Sequence, residues 1–506
     1  MPAQSLATVA AIVSFAVHGN RVELNLNQGA AEIHFVTASS FRLRHALTGG
    51  LPKAKTVEKQ EAGLRAVETV SALQLTTRYL EVVIQKHGLL ARVARSDGTP
   101  LMTDLTEARP FGHGVAWERA AATADRFLGL GPRTDPAFEL RGKVVKPSMP
   151  LLISSGGYGE LHAAAGAYTF DMAATRPDRY RIEAPGVDYY FFYGPTPKEI
   201  YEEAASTRST ISPIPIGDAP ATWEGLRDIV RRLAHASMSG VLMPALDMTP
   251  WSQAPKPLRD RAVQLGQVTA GVFPEKLALT DLRRRLTTFF ATYGEEARDR
   301  GFPFFHPLPF QFPEDLEGLR RADQFLLGDE LLVAPIYTES NSREVYLPRG
   351  VWTNLETNQT HPGRRTITVE SQSLPLFGRN GTILPLDAIK PGEPMQLHYF
   401  PNLGAEFFLL ETDVADWSQA HAAPAVDYMR LEIESKVERL YEWVAHHVEK
   451  PVSVEFERKK YTETASKAML REGRWYYDAK QRNLHVRALA RAGDDVIVNL
   501  IWPDKP

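Results

Sequence analysis

From Asn20 to Ala205 the chain runs in short stretches that change character every second residue. Arg21-Val-Glu-Leu-Asn-Leu, Ala31-Glu-Ile-His-Phe-Val, Leu73-Gln-Leu-Thr-Thr-Arg and Leu80-Glu-Val-Val-Ile are of this kind, bounded by Gly, Asn and Pro. A period of two puts alternate side chains on one face, so these runs predict half-buried antiparallel strands packed into a large β-sandwich. The first helix-period stretch is Pro197-Lys-Glu-Ile-Tyr-Glu-Glu-Ala. The apolar residues 6–17 are read as a buried first strand.

Ile211-Ser-Pro-Ile-Pro-Ile-Gly-Asp-Ala-Pro holds three prolines in ten residues, which forbid regular helix and predict an extended linker or turn at a domain boundary. Residues 222–239 then read as a helix with Leu226, Ile229, Val230 and Leu233 on one face, followed by the strand-like Gly240-Val-Leu-Met-Pro-Ala-Leu-Asp. A second helix is predicted over 279–300, with Leu282, Leu286, Phe289, Phe290 and Tyr293 at helical spacing and Gly301 as its stop. Phe302-Pro-Phe-Phe-His-Pro-Leu is another strand. Helix alternating with strand is α/β grammar. After Asp329 the β pattern returns, interrupted by one stretch near 428–448 read as helical or irregular.

At 506 residues the chain exceeds the roughly 250–300 that one core reaches, so several domains are expected. The 58 Lys and Arg against 61 Asp and Glu leave a net charge of −3, which gives no long-range pull on nucleic acid or an anionic membrane and leaves neutral partners such as sugars unopposed. There is no cysteine, so disulfides and thiolate metal sites are excluded. No cofactor and no metal site is expected. Residues 6–17 lack the preceding basic flank of a signal peptide and are too short for a bilayer span of about 20 residues, so a cytoplasmic protein is expected.

An ordered set of motifs carries a family resemblance. Phe127-Leu-Gly-Leu-Gly-Pro-Arg with Leu140-Arg-Gly, Met149-Pro-Leu-Leu-Ile-Ser-Ser-Gly-Gly-Tyr-Gly, and Asp188-Tyr-Tyr-Phe-Phe-Tyr-Gly-Pro-Thr-Pro-Lys-Glu-Ile come first. Gly217-Asp218, Trp223-Glu-Gly-Leu, Ser239-Gly-Val and Asp247 follow. Then come Gly301-Phe-Pro-Phe-Phe-His-Pro-Leu, Asp323-Gln-Phe-Leu-Leu-Gly-Asp-Glu-Leu-Leu-Val-Ala-Pro, Tyr346-Leu-Pro-Arg-Gly-Val-Trp and Pro375-Leu-Phe-Gly-Arg-Asn-Gly-Thr-Ile-Leu-Pro. In this order they resemble the glycoside hydrolases of family 31, the α-glucosidase and α-xylosidase type. Taken singly, each is also ordinary turn or hairpin chemistry.

The resemblance implies a multidomain α+β, mostly β protein. It divides into an N-terminal galactose-mutarotase-like β-sandwich (1–208), a truncated (β/α)8-barrel remnant (209–340), and proximal (341–392) and distal (393–506) C-terminal β domains. Residues 211–335 number 125, against roughly 250 for a complete eight-fold barrel, so about half of the barrel is expected to be missing, cut between about 209 and 217. Retaining glycosidases need two carboxyl groups about 5–5.5 Å apart. Of the family's pair only the general acid/base position has a counterpart, Asp218; the nucleophile motif is faintly resembled only by Asp171-Met172, within the sandwich pattern and read as unrelated.

Two further departures are an unrecognisable Arg-x-His element around Ala270-Gly-Val-Phe-Pro-Glu and an Asp-x-Gly-Gly-Phe that has become Asp247-Met-Thr-Pro-Trp. His306 stands where the family has Arg. Asp218, Asp247 and His306 are expected at the C-terminal ends of successive strands, where barrels collect catalytic groups. Trp251 and Trp223 are candidates for stacking on sugar. The structural alternatives are a turn or N-cap for Asp218, a Thr-Pro turn for Asp247, strand packing for His306 and loop anchoring for Trp251.

Two functions remain open: a degenerate, non-catalytic protein that binds carbohydrate or a protein partner, or an α-glycosidase with retained or altered activity using Asp218 as general acid/base. The expected ligand is an α-glycoside or oligosaccharide, with no nucleic acid and no membrane. The cut barrel leaves open edges to be covered by the chain's own β domains, the linker, or a second subunit as in a homodimer.

Overall fold

A computed structural model describes residues 9–53, 60–205, 207, 213–272 and 281–503. The chain is mostly β and divides into two compact units, one of residues 1–212 joined by 235–241 and 300–303, the other of 213–234, 242–299 and 304–506.

The first unit is built from antiparallel sheets, as the alternation requires. An eight-stranded sheet runs in the order Ile12–His18, Arg21–Leu26, Ala30–Phe35, Ser40–Ala46, Val187–Tyr193, Tyr158–His162, Leu151–Ser154, Phe127–Gly129, and two five-stranded sheets accompany it. The inward residues of the three sheets, among them Ile33, Phe41, Val82, Trp117, Phe170 and Phe191, form one buried cluster. Pro197–Ala205 is the predicted helix. The first strand differs from expectation. Ile12–His18 pairs along its length with Arg21–Leu26, at the sheet's edge, and leaves Val13 70% and Val17 42% exposed; residues 6–8 lie outside the described residues.

The second unit begins with a small parallel sheet in the order Ile214–Pro215, Pro244–Asp247, Ala270–Val272. Part of the expected linker is therefore a strand. It lies at the sheet's edge, where a proline's missing N–H costs no ladder bond; residues 211 and 212 lie outside the described residues. The helix Trp223–Ser237 buries the predicted stripe of Leu226, Ile229, Val230 and Leu233. The second helix is two, Asp281–Arg285 and Thr287–Arg300, separated by the fully buried Leu286; residues 279 and 280 are outside the described ones.

Phe305–Pro307 opens a six-stranded sheet with Phe325–Leu327, Leu331–Val333, Leu376–Arg379, Val351–Asn354 and Thr360–Pro362, whose core includes Leu326, Trp352 and Phe377. A two-stranded sheet of Ser342–Leu347 and Arg365–Glu370 and two further six-stranded sheets belong to the same unit. The stretch 428–448, expected to be helical or irregular, instead contributes the strands Tyr428–Glu434 and Arg439–Ala445. Met429, Leu431 and Ile433 alternate as strand residues should, and Tyr428–Glu434 finds one of its partners in the distant Asp495–Ile501.

Candidate functional site

Asp218 and Asp247 are brought to the same edge of the parallel sheet. Ile214 stands beside Pro244 and Pro215 beside Ala245, and the Ile216 amide donates to the Ala245 carbonyl at 3.3 Å. Adjacent strands lie about 4.8 Å apart, so the chain delivers Asp218, just past the first strand, and Asp247, the last residue of the second, to neighbouring C-terminal ends. Open α/β sheets bind ligands there.

The turn carrying Asp218 is held by backbone. Gly217 has φ +87°, a left-handed conformation, and Arg232 Nη1 donates to the Asp218 carbonyl at 2.7 Å. A Cβ on Gly225 would stand 2.0 Å from the Pro220 carbonyl oxygen, so glycine lets the helix start close against this turn. The N-cap is Thr222, whose Oγ1 accepts from the Gly225 amide at 3.1 Å while its carbonyl accepts from Leu226 at 2.9 Å. Asp218 itself is exposed, four residues ahead of that cap.

Asp247 is also exposed. Hydrogen bonds from the Thr249 hydroxyl and amide, the latter at 2.8 Å, hold its carboxyl below the usual carboxylate range. That arrangement starts the 3-10 turn Thr249–Gln253 and keeps the group ionised. Trp251, inside the same turn, is only 1% exposed. Trp223 is half-buried at the start of its helix.

His306 is not on the parallel sheet. It is the middle residue of Phe305–Pro307, which pairs antiparallel with Phe325–Leu327, and it is 1% exposed. Its Nδ1 lies 3.2 Å from Asp329 Oδ1, and its ring meets Tyr293 edge-on at 6.0 Å and Phe310 at 4.8 Å. Beside it the Tyr293 hydroxyl donates to Glu330 at 2.6 Å, and burial pushes the Glu330 carboxyl up to about 8. Glu330 escaped the sequence reading; the available signal was an acidic pair set between two apolar runs, Phe325-Leu-Leu and Leu331-Leu-Val. Asp171 lies in the sandwich strand Thr169–Met172 and accepts from the Ala174 amide at 2.8 Å, a turn role.

Residues 301–384 match the glycosyl hydrolase family 31 C-terminal domain. Neutral alpha-glucosidase AB of Mus musculus is 39% identical over 108 residues, 20% of this chain and 11% of that protein. Alpha-glucosidase 2 of Bacillus thermoamyloliquefaciens is 33% identical over 158 residues, 29% of this chain and 19% of that protein. The matched segments thus span under a fifth of either relative's length. A Flavobacterium johnsoniae GH31 dextranase, solved in complex with isomaltotriose, superposes with a TM-score of 0.83 at 15% identity, covering 98% of this chain and 100% of that chain. Residues 301–384 are thus similar to the C-terminal domain of glycoside hydrolase family 31, and the fold of the chain is that of the solved family 31 dextranase. Among the described residues no helix is long and apolar enough to cross a membrane.

Proposed function

We propose that this is a degenerate family 31 protein that binds α-linked oligosaccharide without hydrolysing it. The observation that carries this reading is the state of the two strand-end carboxyls. A general acid must hold a proton near neutral pH, which burial or a like charge ordinarily secures. Asp247 is exposed and held ionised by Thr249, and Asp218 is exposed. The buried positions of Trp251 and His306 further support it, since neither ring is free to meet a sugar. In this reading the parallel sheet is the remnant of a shortened barrel within 209–340, between a sandwich (1–208) and two C-terminal β domains (341–392 and 393–506), in a cytoplasmic protein.

A second reading is kept by the register that brings Asp218 and Asp247 to neighbouring strand ends: an α-glycosidase of altered activity with Asp218 as general acid/base. Calorimetry with isomaltotriose, alongside turnover of aryl α-glucosides, α-xylosides and α-galactosides, separates the two. Binding without turnover is expected. Turnover that disappears in Asp218→Asn establishes the second reading instead.

A further inference from the structure

The end of the β-sandwich holds a cleft and a small inner cavity that share His45 and Val187 in their walls. The cleft, about 730 Å³, is formed where the strand Ser40–Ala46 ends beside the turn at Pro185 and Gly186 and the segment 163–165. That volume lies in the range of small-molecule sites, roughly 300–1,000 Å³. The inner cavity is about 30 Å³, the space of about one water-sized group.

Three residues lining the inner cavity carry buried polar atoms that make no hydrogen bond of normal geometry among the described residues: His45 Nε2, Arg119 Nη2 and the Tyr189 hydroxyl. They are 8%, 0% and 1% exposed. Buried polar groups are nearly always paired, and leaving one unpaired is costly. Three around one cavity are therefore not incidental. Arg119 is fixed by its other nitrogens, Nε donating to Asp104 at 2.8 Å and Nη1 to Glu160, and its guanidinium lies over the Tyr189 ring, 4.4 Å from the centroid. The same guanidinium also interacts with the Tyr189 hydroxyl, outside the geometry of a normal hydrogen bond. Burial lowers His45 to about 4, so its imidazole is neutral at physiological pH, with Nε2 donor or acceptor by tautomer.

Of the three charged side chains lining the cleft, Arg44, Lys53 and Asp188, two are matched. Asp188 is held by Arg42 at 2.8 Å, and Arg44 is paired with Glu32 at 2.8 Å and further spent on the Pro52 carbonyl. A neutral ligand rich in hydroxyls fits this balance, because each hydroxyl both donates and accepts.

We infer that the sandwich end is a saccharide-binding site, with a sugar in the outer cleft and one hydroxyl directed at the His45, Arg119 and Tyr189 atoms. The inference rests on the carbohydrate-binding reading above and moves its site away from the parallel sheet. Isomaltotriose binding is to be measured by calorimetry on the full chain, its Ala165→Trp and His45→Phe variants, and Asp218→Asn. Ala165 is an exposed cleft residue, so tryptophan there obstructs the cleft without touching the core, and an unchanged melting temperature checks the fold. The expected result is an affinity loss of at least about tenfold in Ala165→Trp and a smaller loss in His45→Phe, a tenfold step corresponding to about 1.4 kcal/mol. Full affinity in Ala165→Trp overturns the sandwich site, and loss in Asp218→Asn at the same time returns the ligand to the parallel sheet. No binding of saccharide by the unmodified chain removes the carbohydrate reading itself.

Discussion

The Tyr293 hydroxyl donates a 2.6 Å hydrogen bond to the buried Glu330 carboxyl at a junction of helix and turn. Burial, with Asp329 as a neighbouring like charge, raises that carboxyl from 4.5 to about 8, so it is largely neutral at pH 7. A carboxyl raised on folding contributes stability that is whole below its unfolded value and lost as pH climbs through its folded one. The stability difference between wild type and Glu330→Gln is thus expected to fall by up to about 1.4 kcal/mol per pH unit between about 5 and 8, then level off. Urea midpoints across that range read it; a pH-independent difference would remove the buried neutral acid.

In the sandwich, Glu160 is fully buried against Arg119 and kept at about 2 despite desolvation, chiefly by the Arg119 charge with help from His162 and Tyr180. Its contribution is present above its unfolded value and lost as pH falls toward about 2. Removing only one partner strands the other charge in the core. Glu160→Gln is expected to cost about 3–5 kcal/mol in chemical denaturation, and Arg119→Met with Glu160→Leu less than the sum of the single changes.

Thr222, and not Asp218, caps the helix Trp223–Ser237. Thr222→Ala should therefore lower stability by about 1 kcal/mol, while Asp218→Ala stays within about 0.5 kcal/mol. The reverse ranking in thermal melts would reassign the cap.

Trp251 is buried in its 3-10 turn, so its substitution speaks through stability. Trp251→Ala is expected to cost about 3–5 kcal/mol. A variant of native stability that has lost only saccharide affinity would instead mark Trp251 as a sugar platform.

Some of these relationships were legible in the chain and others were not. The stripe of Leu226, Ile229, Val230 and Leu233 announced its helix because one helical face repeats every three or four residues. Tyr428–Glu434 was obscured because its charged residues, interleaved with Met429, Leu431 and Ile433, also suit a solvated helix. His306 was readable as a strand residue, but its antiparallel pairing with Leu326 was not, since pairing depends on a segment the local pattern does not name.

By itself the sequence determined what is periodic or ordered along the chain: the sandwich strands, the stripe of the first long helix, the absence of cysteine chemistry, and a motif order that resembles family 31. Only the tertiary structure decided which polar groups meet. Glu160 finds Arg119 across 41 positions and Tyr293 finds Glu330 across 37, while His45, Arg119 and Tyr189 come to one cavity from three strands. Local pattern reports which face a residue turns inward. Its partner there, and the burial that shifts its proton equilibrium, exist only once distant strands have packed.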